Sequence, residues 1–192
     1  MTPDPIARFQ ELFERVRASG HAEPSACALA TADISCAPSV RMVLLKGVDH
    51  GFVFYTNRQS RKGDHLGENP RAALCFFWNL EVQHQVRVEG PVEQVSDAES
   101  DAYFASRPRI AQLGAWASRQ SRPLERHELL AERVEVMDEQ YKDQPVPRPR
   151  WWGGYRILPE YVEFWRQGEF RLHHREAYFK KESGWTATLL NP

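Results

Sequence analysis

The feature that most constrains this chain is a long succession of short runs rich in Val, Leu, Phe and Tyr, set apart by turn residues. The runs Ala26–Thr31, Ser39–Lys46, Gly51–Thr56, Ala72–Trp78 and Gln85–Val95 read as strands, with Gly, Asp, Asn or Pro between most of them. Trp151–Leu158, Tyr161–Arg166, Phe170–Phe179 and Trp185–Leu190 continue the pattern. Val48-Asp49-His50-Gly51 has the composition of a hairpin turn. Helical patterning is sparse by comparison. Pro5–Ala18 places Ile6, Phe9, Leu12, Phe13 and Val16 on one face, and Gly20 follows its end. Ser60–Glu68 is short, with Ser60 as its N-cap. Ser96-Asp97-Ala98-Glu99 has capping-box spacing and opens a helix to about Ser106. Leu124–Tyr141 is longer, with Leu129, Leu130, Val134 and Met137 on its apolar side, and a linker carrying Pro145, Pro147 and Pro149 follows. Many short strands with little βαβ alternation predict a β-rich α+β fold, an antiparallel barrel with flanking helices rather than a doubly wound sheet. A chain of 192 residues suits one domain, 1–192.

Charge excludes some partners. Lys plus Arg number 25 and Asp plus Glu 26, a net charge of −1, so nothing global favours nucleic acid or an anionic membrane. Any affinity for phosphate must come from local clusters. Cys27, Cys36 and Cys75 are irregularly spaced, neither a disulfide framework nor a zinc pattern, and free thiols fit a reducing cytoplasm. Met1-Thr2-Pro3-Asp4-Pro5 lacks the basic region and apolar stretch of a signal peptide, and no apolar run approaches the ~20 residues of a membrane helix. A soluble cytoplasmic domain without a metal site is expected. The glycines form no dinucleotide fingerprint or P-loop, and neither H-E-x-x-H nor G-x-S-x-G occurs.

The cations cluster despite the balanced total. On an Arg41–Lys46 strand, Arg41 and Lys46 would face opposite sides. Ser60-Arg61-Lys62 puts two cations at a helix start, where the dipole disfavours them. It reads either as a solvated basic turn or as a site where N–H groups, Arg and Lys converge on one anion. Tyr103 and Arg107, four apart, suit a phosphate ester or a plain surface pair. Glu163-Phe164-Trp165 and Arg171-Leu172-His173-His174-Arg175 gather aromatic, imidazole and guanidinium groups; on a strand, Arg171, His173 and Arg175 would share one face.

Taken in order, Arg41-Met42-Val43-Leu44-Leu45-Lys46, Phe54-Tyr55-Thr56-Asn57, Ser60-Arg61-Lys62, Ser106-Arg107-Pro108-Arg109, Gly114-Ala115-Trp116, Gln120-Ser121, Trp152-Gly153-Gly154, Glu163-Phe164-Trp165 and Arg171-Leu172-His173 resemble the pyridoxamine/pyridoxine 5′-phosphate oxidase family across roughly residues 5–192. The resemblance implies an FMN-binding split barrel, homodimeric, with FMN between subunits and residues from about 150 to 192 serving dimerisation and substrate. It implies that Arg41, Arg61, Lys62 and Ser121 hold the FMN phosphate, and that Met42, Val43, Leu44, Tyr55, Thr56, Gln85, Gln120, Trp165 and Arg175 complete the flavin site. Lys46, Tyr103 and Arg107 would bind the 5′-phosphate of the substrate, while Arg171 and His173 would lie over its pyridine ring as catalytic residues. The implied reaction is oxidation of pyridoxamine or pyridoxine 5′-phosphate by O2 to pyridoxal 5′-phosphate, releasing H2O2. Four departures stand out: Ala111 where Ser is usual, His174 where Asp is common, Leu189 in place of an Arg, and a short N-terminus lacking a basic, tyrosine-containing segment. The alternatives are a phenazine-pathway flavin oxidase and a non-catalytic protein that binds FMN or pyridoxal phosphate.

Overall fold

In the computed structural model, residues 4–192 are described; the sequence reading of Met1-Thr2-Pro3 lies outside the described residues. Every strand pairing is antiparallel, as the pattern of short runs predicts. The strands are β1 (Ala26–Ala32), β2 (Pro38–Leu44), β3 (Gly47–Val48), β4 (Phe52–Asn57), β5 (Arg71–Asn79), β6 (Gln83–Gln94), β7 (Trp152–Ile157), β8 (Tyr161–Arg166), β9 (His174–Lys181) and β10 (Gly184–Leu190). The main path runs β10-β9-β8-β6-β5-β1-β2, and β7 links it to the β3–β4 hairpin.

The sheet curls because β6 serves two neighbours. Its His84–Glu89 stretch pairs with β8, and Val92–Gln94 pairs with β7. Gly90 sits at the changeover, where a Cβ would lie 1.9 Å from the Leu158 carbonyl oxygen. Gly90→Ala therefore forces two backbones apart. We expect a loss of about 1–3 kcal/mol, the usual cost of overpacking, seen as a lower midpoint of chemical unfolding; an unchanged midpoint would refute the close approach.

Helix α1 (Pro5–Ala18) caps the open side of the sheet, with the Asp4 carboxylate accepting from the Ile6 N–H. It buries Phe9, Leu12 and Val16, and Phe9 packs against Phe52, Phe76 and Trp78. Helices α2 (Arg61–Glu68), α3 (Asp97–Ala105), α4 (Arg109–Ala117) and α5 (Glu128–Gln140) follow. A second apolar cluster of Phe104, Leu113, Val146 and Trp152 joins α3 and α4 to β7.

Several boundaries differ from the sequence reading. The strand expected through Lys46 ends at Leu44, because Leu45 turns into the core and its N–H donates to the Ser25 carbonyl. α4 was not anticipated: Pro108 precedes it and Gly114 interrupts its pattern. The helix expected from Leu124 begins at Glu128 and buries no residue fully. The strand expected over Phe170–Phe179 starts only at His174, after a tight 3-10 turn, Glu169–Arg171. Phe170 and Leu172 mimic strand alternation yet are 90% and 66% exposed. Arg171, His173 and Arg175 therefore do not share a strand face. The capping box at Ser96 and Glu99, the Ser60 cap and the hairpin turn at 48–51 form as expected.

Candidate active site

A cleft of about 870 Å³ opens where β2, β4, the start of α2, the end of α3 and the loop after α4 converge. Its walls include Arg41, Met42, Val43 and Leu44 from β2, Tyr55 and Thr56 from β4, Arg61 and Lys62 from α2, and Gln120 and Ser121 from the loop. Lys46, Tyr103 and Arg107 line the same cleft, so Arg41 and Lys46 serve one cavity although Lys46 lies beyond its strand. Ser121 holds a left-handed backbone, φ 67°, an uncommon conformation for a residue with a side chain.

The electrostatics of this cleft are unbalanced. The Lys62 side chain is buried, and its ammonium donates to Thr56 Oγ1 at 3.1 Å, Ser60 Oγ at 3.1 Å and Gln120 Oε1 at 2.9 Å. All three acceptors are neutral. Burial, helped by Arg41, pushes the Lys62 pKa down to about 8. The Arg41 guanidinium likewise donates only to neutral oxygens: the Leu29 carbonyl, Thr31 Oγ1 and Ser39 Oγ. Arg107 lies 4.7 Å over the Trp152 ring, and its Nη1 is buried without a hydrogen-bond partner. Among the described residues, none of Arg41, Lys46, Arg61, Lys62 and Arg107 forms an ion pair; Lys46 and Arg61 are exposed to solvent, but Lys62 is buried and Arg41 and Arg107 are half-buried, whereas Arg87, Arg148, Arg156 and Arg175 all hold carboxylates. Uncompensated cations in a partly dry cleft are costly unless an anion joins them. The residues present thus fit anionic ligands in this cleft, compatible with the FMN phosphate at Arg41, Arg61, Lys62 and Ser121 and the substrate phosphate at Lys46, Tyr103 and Arg107 that the family resemblance implies.

Trp152 went unassigned in the sequence beyond its place in Trp152-Gly153-Gly154. It forms an aromatic wall with Tyr55 and Tyr103, whose own ring centroids lie 4.1 Å apart. The helix carrying Tyr103 ends at Ala105, and the turn after it returns Arg107 to the same cleft. Ala111 also lines the cleft and offers no hydrogen bond there.

The remaining candidates sit elsewhere. Gln85, Trp165 and Arg175 are register partners across β6, β8 and β9 and form one row. His173 packs on Trp165 with ring centroids 4.6 Å apart, and its Nδ1 accepts from the Gly168 N–H at 3.3 Å. The ring proton therefore belongs on Nε2, leaving an N–H donor exposed to a ligand. Trp165, His173 and Arg175 line a separate cavity of about 550 Å³, with Arg8 and His84. Arg171 is exposed on the turn before β9, and it and Phe170 have φ of 65° and 53°. Two left-handed non-glycine residues in succession mark strain of the kind found at ligand-binding turns. From β9 to β2 there are five strand spacings, about 24 Å along the sheet. The two cavities share no lining residue.

Comparison with known proteins bears on this geometry. Residues 12–141 match the family model described as pyridoxamine 5′-phosphate oxidase, and residues 152–192 match that of the pyridoxine 5′-phosphate oxidase C-terminal dimerisation region. A pyridoxine/pyridoxamine 5′-phosphate oxidase of Anaeromyxobacter dehalogenans is 52% identical over 99% of this chain and 96% of that protein. One from Myxococcus xanthus is 51% identical over 99% of this chain and 92% of that protein. Among solved structures, PhzG from Burkholderia lata, in complex with tetrahydrophenazine-1-carboxylic acid, superposes with a TM-score of 0.93 at 29% identity, covering 100% of this chain and 94% of that one. An FMN-binding protein of Nostoc punctiforme shares the fold, with a TM-score of 0.77 at 18% identity and full coverage of both chains.

Proposed function

The chain belongs to the pyridoxine/pyridoxamine 5′-phosphate oxidase family, and from that premise we propose that it is an FMN-dependent homodimeric enzyme oxidising pyridoxine or pyridoxamine 5′-phosphate to pyridoxal 5′-phosphate. The observation that carries the reading is the pair of uncompensated cation groups in one cleft, one suited to the FMN phosphate and the other to the substrate phosphate. Arg41, Arg61, Lys62 and Ser121 take the first phosphate; Thr56 and Gln120 hold the Lys62 ammonium toward it. Met42, Val43, Leu44 and Tyr55 line the space beside it. Lys46, Tyr103 and Arg107 take the second phosphate, with Trp152 fixing the last two.

Gln85, Trp165, Arg175, Arg171 and His173 reach the cleft from a second copy of the chain. The apolar Val40, Met42 and Leu44, exposed on the edge strand β2, give that copy a surface to cover. FMN held by Arg41, Arg61, Lys62 and Ser121 would supply a two-electron acceptor for oxidation at the substrate C4′, with O2 and two protons as the final acceptor giving H2O2. The chain contributes positioning. Arg171 and the Nε2–H of His173 orient the pyridine and the C4′ substituent, and the indole of Trp165 holds the imidazole in place.

The test is an anaerobic titration of FMN-loaded protein with pyridoxine 5′-phosphate, followed by air. Bleaching of the visible flavin bands, then recovery with aldehyde and peroxide, is expected. FMN that binds but never bleaches with either phosphate substrate would overturn the substrate. The superposition on PhzG makes a tricyclic carboxylate the second candidate to try.

A further inference from the structure

The sheet face bearing the Gln85–Trp165–Arg175 row carries a second row two residues along: Cys75, Arg87, Glu163 and Ala177. The Glu163 side chain is only 1% exposed. Its Oε1 accepts from Arg175 Nε at 2.8 Å, and its Oε2 from Arg175 Nη2 at 3.1 Å and the Tyr161 hydroxyl at 2.6 Å, with Arg87 Nη2 also in contact. Burial alone would raise the Glu163 pKa, but the donors of Arg175, Tyr161 and Arg87 outweigh it and hold the carboxyl at about 2. It is an anion at every working pH.

A carboxylate gripping Nε and Nη2 together fixes the plane of a guanidinium as well as its position. Nη1 of Arg175 also donates to the Asn191 carbonyl at 3.0 Å. An arginine has five N–H donors; these contacts occupy three and leave two for a ligand in the cavity that Arg175 lines. Without the carboxylate, a long side chain at a cavity rim samples many rotamers and loses that aim.

We propose that Glu163 is a positioning residue, whose carboxylate aims the free N–H donors of Arg175 at the FMN held by the cleft of the opposite subunit. The inference rests on the reading that Arg175 reaches that cofactor. A carboxylate that only stapled β6, β8 and β9 together, the last through Arg175 itself, would lower stability when removed and leave FMN affinity unchanged.

A double-mutant cycle on FMN affinity separates the two roles. FMN dissociation constants are measured by flavin fluorescence for wild type, Glu163→Gln, Arg175→Ala and the double variant, with light scattering reporting the dimer. We expect Arg175→Ala to weaken FMN about tenfold and Glu163→Gln several-fold, and the double variant to match Arg175→Ala alone. Losses that multiply in the double variant would show Glu163 acting independently and overturn the proposal. An Arg175→Ala protein with unchanged affinity would instead remove Arg175 from the flavin site, and the inference with it. If Glu163→Gln does not fold, Tyr161→Phe takes its place, removing one donor to Glu163. Its smaller loss should vanish in the Arg175→Ala background, and persistence there would count against the assignment.

Discussion

Arg171→Ala and Arg107→Ala proteins should each lose turnover by about a hundredfold or more, as removal of a positioned donor commonly does, and co-expression of the two should restore about a quarter of the wild-type rate. The expectation follows from the separation of the two residue groups. Arg107 lines the cleft beside β2, whereas Arg171 precedes β9, several strands away along the sheet. If each site joins the cleft of one subunit to the 165–175 region of the other, a mixed dimer holds one intact site and one doubly damaged site. Random assembly makes about half of all dimers mixed, and half of their sites work. Both parent variants should retain FMN, since neither residue belongs to its phosphate group. No restoration, with both parents dimeric and flavin-loaded, would place Arg107 and Arg171 in one subunit's site. Loss of FMN from Arg171→Ala would mean that residue serves the flavin.

The sequence made some elements legible for a physical reason and hid others for an equally physical one. Strong local signals survived folding: Ser96 with Glu99, Ser60 before Arg61, and the apolar face of Phe9, Leu12 and Val16. The turn at 169–173 was misread because Phe170 and Leu172 alternate like strand residues although both face outward. What bends the chain there is Gly168, where a Cβ would meet the Leu172 carbonyl oxygen at 1.9 Å, and such a contact has no local periodicity. The cleft cations stood out as clusters, but the absence of acids around them is a tertiary fact. So are the Trp152 wall and the grip of Glu163 on Arg175, which depend on strands far apart in sequence. The ordered motifs drew attention to these residues one stretch at a time, while the separation of the β2 and β9 groups needed the order of strands in the sheet.

Lys62 should make FMN affinity fall as pH rises above about 8. In the FMN-free protein its pKa is pushed down to about 8, against an ordinary value of 10.5. Below about pH 8 the ammonium is charged whether the chain is folded or unfolded. Between about 8 and 10.5 the unfolded chain keeps the proton and the folded one releases it, so the FMN-free protein gains stability as pH rises through that window. Phosphate binding runs the other way. An anion beside Lys62 favours its charged form and draws a proton back, so affinity should fall by up to about tenfold per pH unit above 8. Lys62→Met removes the charge and its contacts to Thr56, Ser60 and Gln120 together. It should weaken FMN by about a hundredfold at pH 7, the scale of truncating one partner of an enclosed charge pair, and flatten the dependence above pH 8. The measurement is a set of fluorescence titrations from pH 7 to 9.5, beside thermal unfolding of the FMN-free protein at the same pH values. A wild-type affinity that stays level while Lys62→Met loses FMN would keep the lysine in the phosphate site but remove its lowered pKa. A Lys62→Met protein that binds FMN as tightly as wild type would take the phosphate away from this cleft, and the electrostatic case for the site would fall with it.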